Sequence, residues 1–285
     1  MRTLRKLLTA LCLLVTISAA YANKQIVVAT DNTSLVFTVG DNGRLYQSYF
    51  GERLVNSADY AQLPLGKEAY LTHGMEDYFE PALHINHTDG NTSTLLQYKH
   101  HETLKHDGCT ETVIYLSDPI YADEVELHYA AYGKENVFKA WSIITNHEKK
   151  AIELEKYASC MLHFYQQKYF LTQYDGDWAS EVHKHTQELY FGKKVIDTKL
   201  GTRTNMFTPP FFQLSLNKEA TENNGQVLVG TLAWTGNFRF TFEVDNLGGL
   251  RIISGINPYA SQYTVNKGEK FQTPEFIFTL SNNGT

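Results

Sequence analysis

From Gln25 onward the sequence runs in short stretches of β-branched and aromatic residues broken by Asn, Asp and Gly, and a helical period is almost nowhere sustained. Such a chain can bury its apolar side chains only by pairing many short strands, which makes the fold class all-β and antiparallel. Gln25 to Thr30, Ser34 to Val39 and Leu45 to Phe50 form an opening meander, and Asp41-Asn42-Gly43 supplies a tight turn whose glycine tolerates positive φ. Further strands are predicted at Thr112 to Leu116, Val125 to Ala131, Val137 to Thr145, Leu154 to Phe164, Glu188 to Phe191 and Phe211 to Leu216. Val227 to Ala233, Phe238 to Val244, Leu250 to Ile253 and Phe271 to Leu280 complete the set. One open sheet of so many strands would curl, so two packed sheets are expected. Alternation is clearest where Phe238, Phe240, Phe242 and Val244 point one way; Arg239, Thr241 and Glu243 should then face water or the sheet margin. Asn56 to Asp89 is the longest irregular stretch, and a loop of that length is expected to bind or lie against something.

The first residues read as a secretory signal: Arg2, Arg5 and Lys6 are a basic start, Leu7 to Ile17 an apolar core and Ala20-Tyr21-Ala22 a cleavage site. Residues 1–22 are therefore predicted to be removed, leaving residues 23–285 as one β-sandwich domain exported to the periplasm or the extracellular space. The apolar run is too short to span a bilayer, and no later segment is apolar enough. Cleavage removes three of the 25 basic residues and none of the 31 acidic ones, moving the formal charge from −6 to −9. That balance argues against nucleic acid and anionic membranes as partners. Cys109 and Cys160 remain, as one disulfide or two buried thiols; the apolar run around Cys160 favours thiols.

Eleven histidines invite a metal reading, densest at His100-His101 with His106 and at His183-Lys184-His185. No cysteine or paired carboxylate completes either set, so they read as surface histidines, and neither metal nor cofactor is expected. Glu76-Asp77 and Asp175-Gly176-Asp177 could in principle supply glycosidic carboxylates. Residues so close in sequence do not flank one bond from opposite sides, and Asp175-Gly176-Asp177 reads as a turn. No phosphate loop, nucleophile elbow or zinc-protease helix is present. Sugar rings stack on aromatic faces. Trp141 and Trp234 fall in strand-like runs and read as core, whereas Trp178 follows a turn and is a candidate for exposure. Tyr70 and Tyr78, beside His73, Glu76 and Asp77, form either a polar-aromatic lip or a loop packed on the sandwich.

The motifs YFGERL from Tyr49, HGMEDYFEPAL from His73 and HTDGNTSTLLQY from His87 occur in one order with GDWASE from Gly176 and GTRTNM from Gly201. PPFF from Pro209, LAWTGNFRFTFE from Leu232, GINPY from Gly255 and TPEFIFT from Thr273 continue the series. Together they resemble the N-terminal domain of family 36 α-galactosidases across nearly the whole mature chain. The resemblance implies a two-sheet antiparallel β-supersandwich packed on a following (β/α)8 barrel that removes terminal α-galactose from oligosaccharides with retention. In the family both catalytic carboxylates belong to the barrel. No tryptophan here precedes an aspartate, so no catalytic residue carries over, and the sequence is expected to stop near the hand-over to the missing barrel. The resemblance also implies homo-oligomers in which a loop of this domain shapes a neighbour's active-site mouth. Asp77 and Tyr78 match that loop, while Phe79 stands where the family pattern has Arg. Asp77, Tyr78 and Trp178 are thus the candidate substrate-binding residues.

The leading expectation is a non-catalytic domain that serves barrel stability, assembly and mouth shaping. A free-standing carbohydrate-binding module using Trp178 and the Tyr70 to Tyr78 loop is the second reading. A mutarotase-like epimerase pairing His163 with Glu181 or Glu243 is the third.

Overall fold

A computed structural model describes residues 24–75 and 77–285; the predicted signal and Glu76 lie outside them. The largest sheet has ten strands, in the order β12 (Ser180–Glu188), β11 (Tyr169–Asp177), β14 (Phe211–Thr221), β15 (Asn224–Leu232), β20 (Phe276–Ser281), β9 (Val137–Thr145), β8 (Glu124–Tyr132), β7 (Cys109–Ser117) and β6 (Gln97–His106). Its tenth strand, β19 (Lys270–Gln272), pairs with β9. A six-stranded sheet runs β13 (Gly192–Asp197), β16 (Phe238–Val244), β17 (Gly249–Ile256), β10 (Ile152–Tyr165) and β18 (Tyr263–Val265), with β5 (Leu83–Asn86) also on β10. A four-stranded sheet holds β1 (Lys24–Ala29), β2 (Thr33–Val39), β3 (Leu45–Glu52) and β4 (Lys67–Glu68).

The two smaller sheets form one layer against the inner face of the large one. Phe50 of β3 meets Phe138 of β9 and Phe278 of β20 edge-on at 5.8 and 5.7 Å, and Phe37 of β2 meets Tyr129 of β8 at 4.9 Å. Farther along the same face, Phe212 of β14 takes Phe240 and Phe242 of β16 at 5.1 and 4.9 Å. The expected sandwich of packed antiparallel layers is therefore present, and its core is one continuous cluster. Edge-to-face rings let aromatic side chains fill the space between layers at favourable quadrupole geometry.

The opening meander pairs as expected, with Gly43 at φ 77° in the turn before β3. Other expectations need correction. Glu188 ends β12, so Glu188 to Phe191 is a strand end and a connection rather than a strand. Phe271 to Leu280 is two strands, interrupted around Pro274, which has no N–H to give a ladder. Asp175-Gly176-Asp177 is the end of β11, and the turn is Trp178-Ala179. Cys109 and Cys160 are free thiols, and burial pushes the Cys160 thiol up.

Candidate functional site

The irregular stretch from Ala69 to Ala82 connects β4 to β5 and lies across the outer face of the six-stranded sheet. Its base is fixed. Tyr70 is buried, and its hydroxyl donates to the Ala158 carbonyl at 2.6 Å, so it belongs to the core and not to an exposed lip. The amides of Ala82 and His73 donate to the Leu71 and Leu83 carbonyls. Gly74 adopts φ +87°, and a Cβ there would lie 2.3 Å from the Ser93 Oγ, so the position demands glycine.

Between these anchors the chain rises to an exposed tip. Asp77 Oδ1 accepts the Phe79 amide at 3.0 Å, an Asx turn that presents Tyr78 outward, 62% exposed. The Tyr78 ring stacks on exposed Phe191 at 6.2 Å and meets Phe79 edge-on. Phe79 itself turns inward and lies 4.7 Å from the guanidinium of Arg251, a cation–π contact.

Beneath the loop, pairing aligns Lys193, Glu243, Arg251 and His163 in a row across β13, β16, β17 and β10. The alternation predicted in β16 is correct, but the polar side does not face water: Thr241 and Glu243 are buried under the loop. Glu243 Oε2 accepts the Glu80 amide at 2.7 Å, and burial raises the Glu243 carboxyl above its usual range. Arg251 is 1% exposed, and its Nε and Nη2 have no acceptor. Burial, followed by the Arg251 and Lys67 charges, pushes the His163 imidazole down to about 3. Arg251 stands between His163 and Glu243, so these two do not meet as an epimerase acid and base; Glu181 lies on β12 of the other sheet.

Beside this row is a cavity of ≈240 Å³ with Lys156, Lys193, Arg239 and Glu80 around a floor of Ile253 and Val195. Its cations all have carboxylate partners, with Lys156 and Lys193 sharing Glu80. Burial opposes the Glu80 charge, but the ammonium groups of Lys156 and Lys193 override it and hold the carboxyl at about 2. Arg239 Nη2 reaches Asp197 at 3.0 Å. Glu80 and its lysines escaped sequence reading because their partners lie 76 and 113 residues away, on separate strands.

Trp178 is 89% exposed, as expected, but sits at the tip of the β11–β12 hairpin. Tyr78 packs near that hairpin's base, and the length of β12 puts roughly 25 Å of strand between the two. The structure thus brings Asp77 and Tyr78 together and leaves Trp178 apart. Trp234 is 36% exposed just beyond β15, correcting its assignment to the core, and Trp141 is half-buried against His128 at 4.8 Å. The paired histidines do not converge: His183 meets Ser180, His185 meets Asp175, and His106 meets Glu111.

The profile of the glycosyl hydrolase family 36 N-terminal domain matches residues 43–266. The chain belongs to this family. It is 26% identical to α-galactosidase Mel36A of Lactobacillus acidophilus over 92% of its own length and 40% of the relative's. Against α-galactosidase AgaA of Geobacillus stearothermophilus the identity is 29% over 76% of this chain and 32% of that one. The crystal structure of the Lactobacillus brevis α-galactosidase superposes with a TM-score of 0.84 at 25% identity, covering 94% of this chain and 41% of that one. A doubly substituted variant of AgaA in complex with stachyose gives 0.85 at 25% identity, covering 92% and 41%. The family 36 domain described here thus spans about two fifths of Mel36A and of these two solved chains.

Proposed function

We propose that this chain is the non-catalytic N-terminal sandwich of an exported, retaining α-galactosidase, supporting the catalytic portion, its self-assembly and the shape of its substrate mouth. The observation that carries this reading is the match to the family's N-terminal domain over residues 43–266, in a chain that aligns with about two fifths of α-galactosidase Mel36A. Export rests on the signal-like residues 1–22, and the destination is the periplasm or the extracellular space. Doubly substituted variants of AgaA have been crystallised with stachyose and with raffinose, and terminal α-galactosides of that class are the proposed substrates of the whole enzyme.

The tip at Asp77 and Tyr78 is the proposed mouth contact: it is exposed, while its base is bonded to the core and its next residue, Phe79, is wedged over Arg251. Trp178, on its own hairpin, is a second and separate proposed sugar contact. Retaining hydrolysis needs two carboxyl groups about 5 Å apart across the scissile bond. Asp175 and Asp177 are instead engaged locally, by His185 and by the Trp178 amide. The purified chain is expected to release no nitrophenol from p-nitrophenyl α-galactoside. Turnover that follows the protein through purification would refute the non-catalytic reading.

The exposed Tyr78 ring stacked on Phe191 favours one further reading, a sugar-binding module that works unaided. Calorimetry with raffinose distinguishes it: heat that disappears in Tyr78→Ala supports it, and no heat at millimolar sugar rejects it.

A further inference from the structure

Three loops at one end of the sandwich bring His87, Asp123 and Glu148 together, far along the sequence from one another. His87 follows β5, Asp123 immediately precedes β8, and Glu148 lies in the turn from β9 to β10. All three are buried. His87 Nδ1 is 2.7 Å from Glu148 Oε1 and 3.5 Å from Asp123 Oδ2, and the three atoms lie within 4.8 Å of one another.

Every other polar atom of the trio is held from outside. Glu148 Oε2 accepts the amide and hydroxyl of Thr88, and Asp123 Oδ1 accepts the His147 amide at 2.9 Å. His87 Nε2 is 2.9 Å from the buried Thr94 hydroxyl, and its ring lies flat on Tyr121 at 3.6 Å. Each side chain therefore has one anchored atom and one atom turned toward the centre. Asp123 Oδ2 is the informative one: the residue is completely buried, yet this oxygen has no hydrogen-bond partner.

The imidazole proton does not resolve that arrangement. The single N–H at Nδ1 serves Glu148, so Asp123 Oδ2 stays bare and the trio keeps a net negative charge in a dry interior, which is costly. A divalent cation answers both problems, because it gives Oδ2 a partner and cancels two carboxylates. The Nε2–H bond to Thr94 then fixes the tautomer that frees Nδ1, the outer-shell arrangement of metal-bound histidines. One imidazole and two carboxylates suit zinc and similar d-block ions, whereas calcium takes six to eight oxygens. Ligands about 2.0–2.1 Å from a tetrahedral zinc stand roughly 3.3 Å apart. The 3.5 Å gap already fits, and the 2.7 Å gap must open by roughly half an ångström.

We propose that His87 Nδ1, Asp123 Oδ2 and Glu148 Oε1 form a structural site for a divalent d-block cation such as Zn2+, clipping the β5–β10 edge of one layer to β8 and β9 of the other. The test uses the full chain, stripped with EDTA, titrated with ZnCl2 by calorimetry and melted with and without zinc. The native chain should take up one equivalent tightly and melt several degrees higher with it. Asp123→Asn and His87→Gln should each weaken that equivalent by more than the about 10–100-fold that loss of an outer-shell partner costs. No tight equivalent in the native chain, or one that survives in both variants, overturns the site and assigns any uptake to exposed histidines. If the variants do not fold, Co2+ bound to the native chain decides: intense four-coordinate visible bands support the site, and weak six-coordinate bands refute it.

Discussion

His163 should make this domain acid-sensitive, and the effect can be isolated with one substitution. The side chain is 7% exposed on the outer face of the six-stranded sheet, beside Arg251 on the paired strand, and its Nε2 has no partner. Burial and the Arg251 and Lys67 charges push its pKa from an ordinary 6.5 down to about 3. Between those values the unfolded chain holds the proton and the folded chain refuses it, so stability falls as pH drops below about 6.5. At pH 5 the loss from this group alone is about 2 kcal/mol, against almost nothing at pH 7.5, and any folded value below about 4 gives nearly the same figure. His163→Leu removes the titration and leaves intact the two bonds between the Gln47 side chain and the residue 163 backbone. Glu68 and Glu243, whose carboxyls burial raises, titrate in both proteins and cancel in the comparison. Urea unfolding of both proteins at pH 7.5 and 5.0 should show the native chain losing about 2 kcal/mol more than the variant. Equal losses would mean that the folded imidazole accepts its proton freely.

Glu80→Gln should have its largest effect at neutral pH and none in strong acid. The Glu80 carboxyl sits at about 2, so its stabilisation is present above about 4.5 and fades as pH falls toward 2. Allowing for solvent screening of a half-exposed group, the variant should lose about 1–2 kcal/mol at pH 7 and nothing near pH 2, which urea titrations at both pH values would check. Gly74→Ala should cost about 2 kcal/mol or more, seen as a lower melting temperature, because it adds left-handed strain to a 2.3 Å approach to Ser93. A melt unchanged from native would show that the loop relaxes freely.

Strands that bury one face announced themselves. The β16 alternation of Phe238, Phe240 and Phe242 against Arg239, Thr241 and Glu243 is the register observed, and β9 runs from Val137 to Thr145 as the residues alone suggest. Two of the strands that went unread, β6 and β12, have no such face. β12 is exposed along nearly its whole length, and most of β6 is likewise in water at the opposite edge of the ten-stranded sheet. Their polar sequences carry no period of two, and only hydrogen bonding to β11 and β7 makes them strands.

The site was legible to the extent that it is local. Asp77 and Tyr78 form a turn and a tip that a few neighbouring residues define, and exposure of Trp178 follows from its place in a hairpin turn. What lies beneath the loop is not local. Glu243 was read as facing water or the sheet margin because alternation reports which side of a strand a residue occupies, never what covers that side. Glu80 covers it from 163 residues earlier in the chain, donating its amide to the Glu243 carboxylate. The same limit hid His87, Asp123 and Glu148: histidines adjacent in sequence drew the metal question, yet adjacent strand residues point to opposite faces, whereas three turns at one end of a sandwich can aim at a single point. In an antiparallel sandwich, convergent polar chemistry belongs at the turns and covering loops, where residues distant in sequence meet.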